Sequence, residues 1–356
     1  NRYTIIAWVL FWIGYTGFTP LAAAKTPPAS DYLIGQNALL HGEYRQALRC
    51  FFQIYRQDPT NVYLQEQIAK VLLLAGDKTK TVQFVEKIRP SKDAYWLKSI
   101  SYIEAFQKHD YQKALQLGQE LLQQSNQPWL ILLQCWAYQG LGEKQKAQEA
   151  LGKFSQYTAH VGAAHYFTAL FNILIGKKEE AKKEFKAALS ATRWRKELPE
   201  FYMRGFVMYV KFLCKGGAEE RVLKYLHSAE PSKPWLYSCP AQGPEKLLPL
   251  PIEMKDLQKV VANSFFYAAT LYYSKQAMQE GAAYEQLGLQ LYPSCDLGLY
   301  RQAILHYQLG DYKVARKYAG LVAKNSIYFI NASIIFAHCQ LLLHQEKKAL
   351  TYLERQ

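Results

Sequence analysis

Between Gly35 and Pro59, apolar positions return every three to four residues in two runs of helix length. His41-Gly42-Glu43 separates the runs and Asp58-Pro59 stops them. That spacing lines one face of an α-helix. Glycine frees the backbone for a turn, and proline, with no amide hydrogen to donate, forbids continuation of the second run. The same grammar recurs in Q-L-G-D-Y-K-V-A-R-K-Y-A, Gln308 to Ala319. Stepping from Ala47, small residues follow at Thr81, Ala114, Ala147 and Ala181, at intervals of 34, 33, 33 and 34. Turn residues Gly42, Gly76, His109, Gly142 and Gly176 precede each by five positions, and Gly310 with Ala315 and His344 with Ala349 repeat the step. The pattern predicts an all-α chain in which a helical hairpin recurs about nine times from Pro28 onward.

Two helices that cross closely leave little room at the crossing, which explains the residue types. Ala at the marker meets Gly35, Ala69, Ala169, Ala303 and Ala337 on the first helix. Tyr44, Tyr111 and Tyr312 follow the turn and are expected to pack between helices. Tyr102 stands where a small residue is expected and Thr81 replaces the marker Ala, so the second and third units are predicted to pack differently. The segment 228–254 carries six prolines, from Pro231 to Pro251, too many for a helix. It divides the chain into an array over 25–227 and a second over 255–356. Trp235, Leu236, Tyr237 and Leu247 make it a packed surface loop in this reading. The units beside it, Phe201 to His227 and Lys259 to Pro293, are poorly in phase.

The 34-residue period resembles the tetratricopeptide repeat (TPR) family, best over Pro28 to Asn61, with Gly35, Gly42, Tyr44, Ala47, Phe51 and Pro59 in their expected places. The resemblance implies a right-handed α-solenoid whose first helices line a concave groove for an extended peptide or a partner helix. On that register Tyr32, Gln36, Tyr63, Trp96, Phe106, Trp129, Trp136, Tyr166, Tyr300 and Tyr307 face or border the groove. Aromatic side chains there bury large area at low entropic cost. Heat-shock chaperone adaptors of this family clamp a C-terminal carboxylate with Lys and Asn at set positions. The first-unit positions here are Tyr32 and Gln36, so that clamp is not carried over.

Catalytic signatures are missing: no phosphate-binding glycine loop, nucleophile elbow, H-E-x-x-H or dinucleotide fingerprint occurs. His160 and His165 are five apart, off a common helix face, and Glu179-Glu180 lies among lysines as on a solvated helix. No enzyme activity, cofactor or metal site is expected. The formal charge of +14 favours acidic partners at long range. Arg193-Trp194-Arg195-Lys196 mixes cations with an aromatic, but one short cluster does not make nucleic acid the expected partner.

The run I-I-A-W-V-L-F-W-I from Ile5, with Arg2 before it and Ala22-Ala23-Ala24 after, reads as a signal peptide over 1–24. The uncharged stretch Ile5 to Ala24 reads alternatively as a membrane anchor. Either way the repeats are expected outside the cytoplasm, in the periplasm, secreted or membrane-tethered. There Cys239 and Cys295, beside prolines, form the candidate disulfide, while the other four cysteines sit in apolar helical patterns. The expectation is a non-catalytic scaffold that binds a protein or peptide. The alternatives are a helical-repeat part of an envelope or polysaccharide-export system, or a binder of acidic polymer.

Overall fold

A computed structural model describes residues 29–88, 91, 93–214, 256–324 and 326–354. The expected leader, the Pro-rich interruption and Cys239 lie outside the described residues. Within these bounds the chain is helical without strands. Five hairpins come first: α1 (Ala29–Leu40) with α2 (Tyr44–Tyr55), α3 (Val62–Leu74) with α4 (Lys78–Glu86), α5 (Tyr95–Gln107) with α6 (Tyr111–Ser125), α7 (Leu130–Gly140) with α8 (Lys144–Tyr157), and α9 (Val161–Leu174) with α10 (Lys178–Ser190). A short α11 (Thr192–Glu197) and a longer α12 (Pro199–Cys214) follow. Three more hairpins are α13 (Leu257–Ser274) with α14 (Met278–Leu291), α15 (Asp296–Gln308) with α16 (Tyr312–Ala319), and α17 (Phe329–Leu342) with α18 (Glu346–Glu354).

Every turn residue marked by the sequence has left-handed backbone: Gly42, Gly76, Gly142, Gly176 and Gly310 with φ between 65° and 84°, and His109 and His344 at 59° and 55°. The acid after the turn caps the next helix where it is aspartate. Asp77, Asp110 and Asp311 accept from the amides of Lys80, Lys113 and Val314. Each marker is sealed in a crossing: Ala47, Thr81, Ala114, Ala147, Ala181 and Ala315 have no exposed surface. A Cβ at Gly35 would lie 2.7 Å from the Phe51 ring, so glycine sets how closely α1 and α2 approach.

The irregular units are resolved locally. The Thr81 hydroxyl donates to the Asp77 carbonyl, which satisfies it in a buried crossing. Tyr102 is tolerated because Gly118 faces its ring and its hydroxyl donates to the Leu133 carbonyl at 2.8 Å. The unit that looked out of phase, α13/α14, keeps the period. Gln276 occupies the left-handed turn at φ 61° and Gly281 stands five residues on, 34 before Gly310 and Ala315 respectively. Gln for Gly at the turn and Gly for Ala at the crossing conceal it.

The two arrays are joined along α13 and α14. All eleven residues from Val260 to Thr270 are buried, as are all eleven from Gly281 to Leu291. Helices covered on every side belong to a core. Here α13 packs on α7 and α12, and α14 packs on α3 and α5.

Candidate functional site

The first helices of the N-terminal array turn Trp129, Trp136 and Tyr166 toward α13 and α14, which occupy the inner curve. The Trp136 indole N–H donates to Ser264 Oγ at 2.8 Å, and the Tyr166 hydroxyl donates to Asn263 Oδ1 at 3.0 Å. Trp129 is 2 % exposed and meets the rings of Phe265 at 5.9 Å and Tyr284 at 5.1 Å. Trp96 lies 5.1 Å from Tyr284, and its amide is held at 2.7 Å by the Glu66 carboxylate. Phe106 is fully buried, stacked on Tyr102. Polar bonds close the seam further along: Lys70 pairs with Glu280 at 2.6 Å, Gln107 donates to the Gln290 carbonyl, and the Tyr284 hydroxyl donates to that of Tyr95. The expectation that Trp96, Phe106, Trp129, Trp136 and Tyr166 anchor a separate partner is corrected on this geometry. The helix that fills this groove is the chain's own α13/α14.

The remaining five fall into two groups. Tyr32, Gln36 and Tyr63 form one chain of hydrogen bonds, Gln36 Nε2 to the Tyr32 hydroxyl at 2.8 Å and that hydroxyl to Tyr63 at 2.9 Å. Burial, with the Tyr63 hydroxyl next, pushes the Tyr32 phenol up to about 12. Tyr300 stacks on Tyr328 with centroids 5.3 Å apart, and Tyr307 hydrogen-bonds the His338 ring. Beside them α17 presents Asn331, Ile334, His338 and Leu341 at helical spacing, all exposed, Ile334 at 59 %. The whole of α17, F-I-N-A-S-I-I-F-A-H-C-Q-L-L, lacks an acidic, Lys or Arg residue. Sequence projection named Tyr300 and Tyr307 as groove residues and did not name the α17 stripe, whose uncharged run was the available signal.

Under this surface lies a buried ion pair. Arg301 donates to Glu285 at 3.3 Å and to Glu200 at 2.6 Å, and the Tyr273 hydroxyl donates to Glu285 at 2.9 Å. Burial raises the Glu285 carboxyl to about 7, opposed by Arg301. Cys295 is a buried free thiol whose Sγ accepts from Arg204 at 3.2 Å, and its expected partner Cys239 lies outside the described residues. Trp194 is fully buried, and a Cβ on Gly162 or Gly205 would strike it, so it is not free to stack on a base. His160 and His165 face different carboxylates, Glu197 and Glu184. Among the described residues no group of His, Cys, Asp and Glu is placed to hold a metal ion, and no helix is long and apolar enough to cross a membrane.

No protein-family model matches the chain, and no curated protein matches it. Solved structures do. A crystal structure of MamA protein is 20% identical over 48% of this chain and 93% of that one, with a TM-score of 0.41. The APC/C hetero-tetramer Cut9-Hcn1 matches 86% of this chain and 54% of its own at 12% identity and a TM-score of 0.34. Yeast Tom70 matches 92% and 84% at 11% identity and 0.27. The fold is TPR-like. What fixes that statement in the chain itself is the left-handed turn and sealed small residue repeated at constant pitch.

Proposed function

We propose that the chain is a non-catalytic protein-interaction scaffold whose partner docks on the open surface of α15 and α17. The observation that supports this reading is the exposed stripe Asn331, Ile334, His338 and Leu341 beside Tyr300 and Tyr307. An uncharged aliphatic and aromatic strip at helix spacing matches what a partner helix or extended peptide buries. In this reading the leader carries the repeats out of the cytoplasm or tethers them to a membrane, and the mass of the mature protein tests that part. The docking surface is tested by capture on immobilised chain. The pair Tyr307→Ala and Ile334→Asp should abolish recovery of a specific partner with helical content unchanged, whereas Tyr32→Ala should leave recovery intact. Undiminished capture by the pair would refute the assignment.

A second reading is supported by the net charge of +14 and by exposed lysines of α8 and α10, among them Lys144, Lys153, Lys178, Lys183 and Lys186. It makes the basic surface a binder of acidic polymer. Binding that falls steeply with added salt would carry it, and salt-insensitive binding would exclude it.

A further inference from the structure

Successive units of the second array hold one another at fixed register positions. Arg301 and Gln302 stand two and one residues before Ala303, the small residue of α15. Arg301 donates to Glu285 at 3.3 Å and Gln302 accepts from Gln286 at 2.8 Å, both on α14, the second helix of the unit before. In α17 the matching residue is Phe336, one before Ala337. A Cβ on Gly320, at the end of α16, would lie 3.0 Å from its ring. In α1 the same positions are Leu33 and Ile34, just ahead of Gly35, and both are exposed, Leu33 at 65 %. The other half of the joint shows on the opposite side. Tyr300 and Tyr307 meet Tyr328 and His338 of the next unit, and Arg316 on α16 donates to Gln345 in its turn at 2.8 Å. Stepping 34 residues on from these three gives Ile334, Leu341 and Leu350, all exposed. Among the described residues neither set is covered. Helical arrays ordinarily close their ends with polar outer faces, so aliphatic residues at joint positions mark a contact surface.

We propose that these are two halves of one interface and that its occupant is a second copy of this chain, with Leu33 and Ile34 of one copy seated on Ile334, Leu341 and Leu350 of another. This names the partner of the α17 surface and rests on the reading of that surface as a docking site. The contact continues the packing that joins α17 to α15 and α16, with leucine and isoleucine where the internal joint carries tyrosine, arginine and glutamine. Buried Arg or Gln would need a hydrogen-bond partner from the other copy, whereas aliphatic side chains gain simply by leaving water. Neither α1 nor α17 carries a Lys or Arg. The surplus of +14 therefore lies outside these two helices and opposes assembly only as repulsion at a distance, which salt screens. Joining one end to the other is a heterologous contact, and it builds rings or open filaments.

Sedimentation velocity of the full chain over a concentration series tests the assignment. The parent should exceed the monomer mass at micromolar concentration, and its association should strengthen as salt is added. Leu33→Asp with Ile34→Asp blocks one end, and Ile334→Asp with Leu341→Asp blocks the other. All four side chains are exposed, so helical content should match the parent. Each blocked protein alone should associate more weakly by about tenfold or more. Mixed in equal amounts, the two should form a species of twice the monomer mass and nothing larger, because one intact copy of each half remains. A monomeric parent, self-association by either blocked protein as strong as the parent's, or a mixture that stays monomeric would each overturn the proposal. A monomeric parent whose capture of a different protein is lost with Ile334→Asp would overturn self-assembly alone, and unchanged capture with unchanged association would overturn the α17 docking site as well.

Discussion

Phe265→Ala is the sharpest probe of the occupied groove. Phe265 is 1 % exposed on α13, with Trp129 at 5.9 Å and Tyr102 at 6.2 Å between ring centroids. Truncating a fully enclosed phenylalanine removes its transfer free energy and leaves a void, together about 3–5 kcal/mol. Typical domain stabilities of about 5–15 kcal/mol make that a large fraction of the total. The control is Tyr157→Ala, where the ring is 67 % exposed and a loss within about 0.5 kcal/mol is expected. Urea denaturation read by tryptophan fluorescence suits the question, since Trp129 and Trp136 line the seam and should redden as it opens. Circular dichroism on the same samples reports the helices as a whole. The two signals should move together, with the Phe265→Ala midpoint well below that of the control. A cost under about 1 kcal/mol, or fluorescence that changes while helicity holds, would show that α13 is not seated against the N-terminal array.

The hydrogen bond from Trp136 to Ser264 predicts non-additivity. Trp136→Phe strands a buried hydroxyl at a cost of about 1–3 kcal/mol, and adding Ser264→Ala should recover part of it in a double-mutant cycle. Gly142→Ala, at φ +78° with open space around it, should cost about 1 kcal/mol. At Gly42, φ +73°, a Cβ would lie 2.6 Å from Leu309, so Gly42→Ala should cost more, and Leu309→Ala should relieve the excess. The raised carboxyl of Glu285 means that the folded chain holds a proton which the unfolded chain has released above about pH 4.5. Its stabilising contribution is therefore complete below that pH and is lost as pH rises toward 7. Relative to Glu285→Gln, the parent should lose stability across this window in denaturation at stepped pH, and parallel curves would refute the assignment.

The repeat was legible because its physics is local. A left-handed turn wants Gly, a crossing wants Ala, an exit wants Pro, and each lies within one unit. The same register named Tyr300 and Tyr307 as groove residues. What period and projection could not show is that Trp129, Trp136 and Tyr166 face inward yet are covered. Their cover is 97–128 residues further along, as the partners Tyr166–Asn263 and Trp136–Ser264 show. α13 carried a hint in its composition, since L-Q-K-V-V-A-N-S-F-F-Y-A-A-T-L-Y-Y has apolar residues around its whole circumference. A surface helix reads otherwise.

A nearest-neighbour stack can fold as it leaves the ribosome, each unit settling on the one before. This chain cannot finish that way. Ser264 follows Trp136 by 128 residues, which at about 5–20 residues per second leaves the aromatic trough bare for roughly 6–25 s during synthesis. Holdase chaperones should therefore bind the nascent array during that interval, and speeding or stalling translation after residue 200 should alter yield more than the same change made before residue 100.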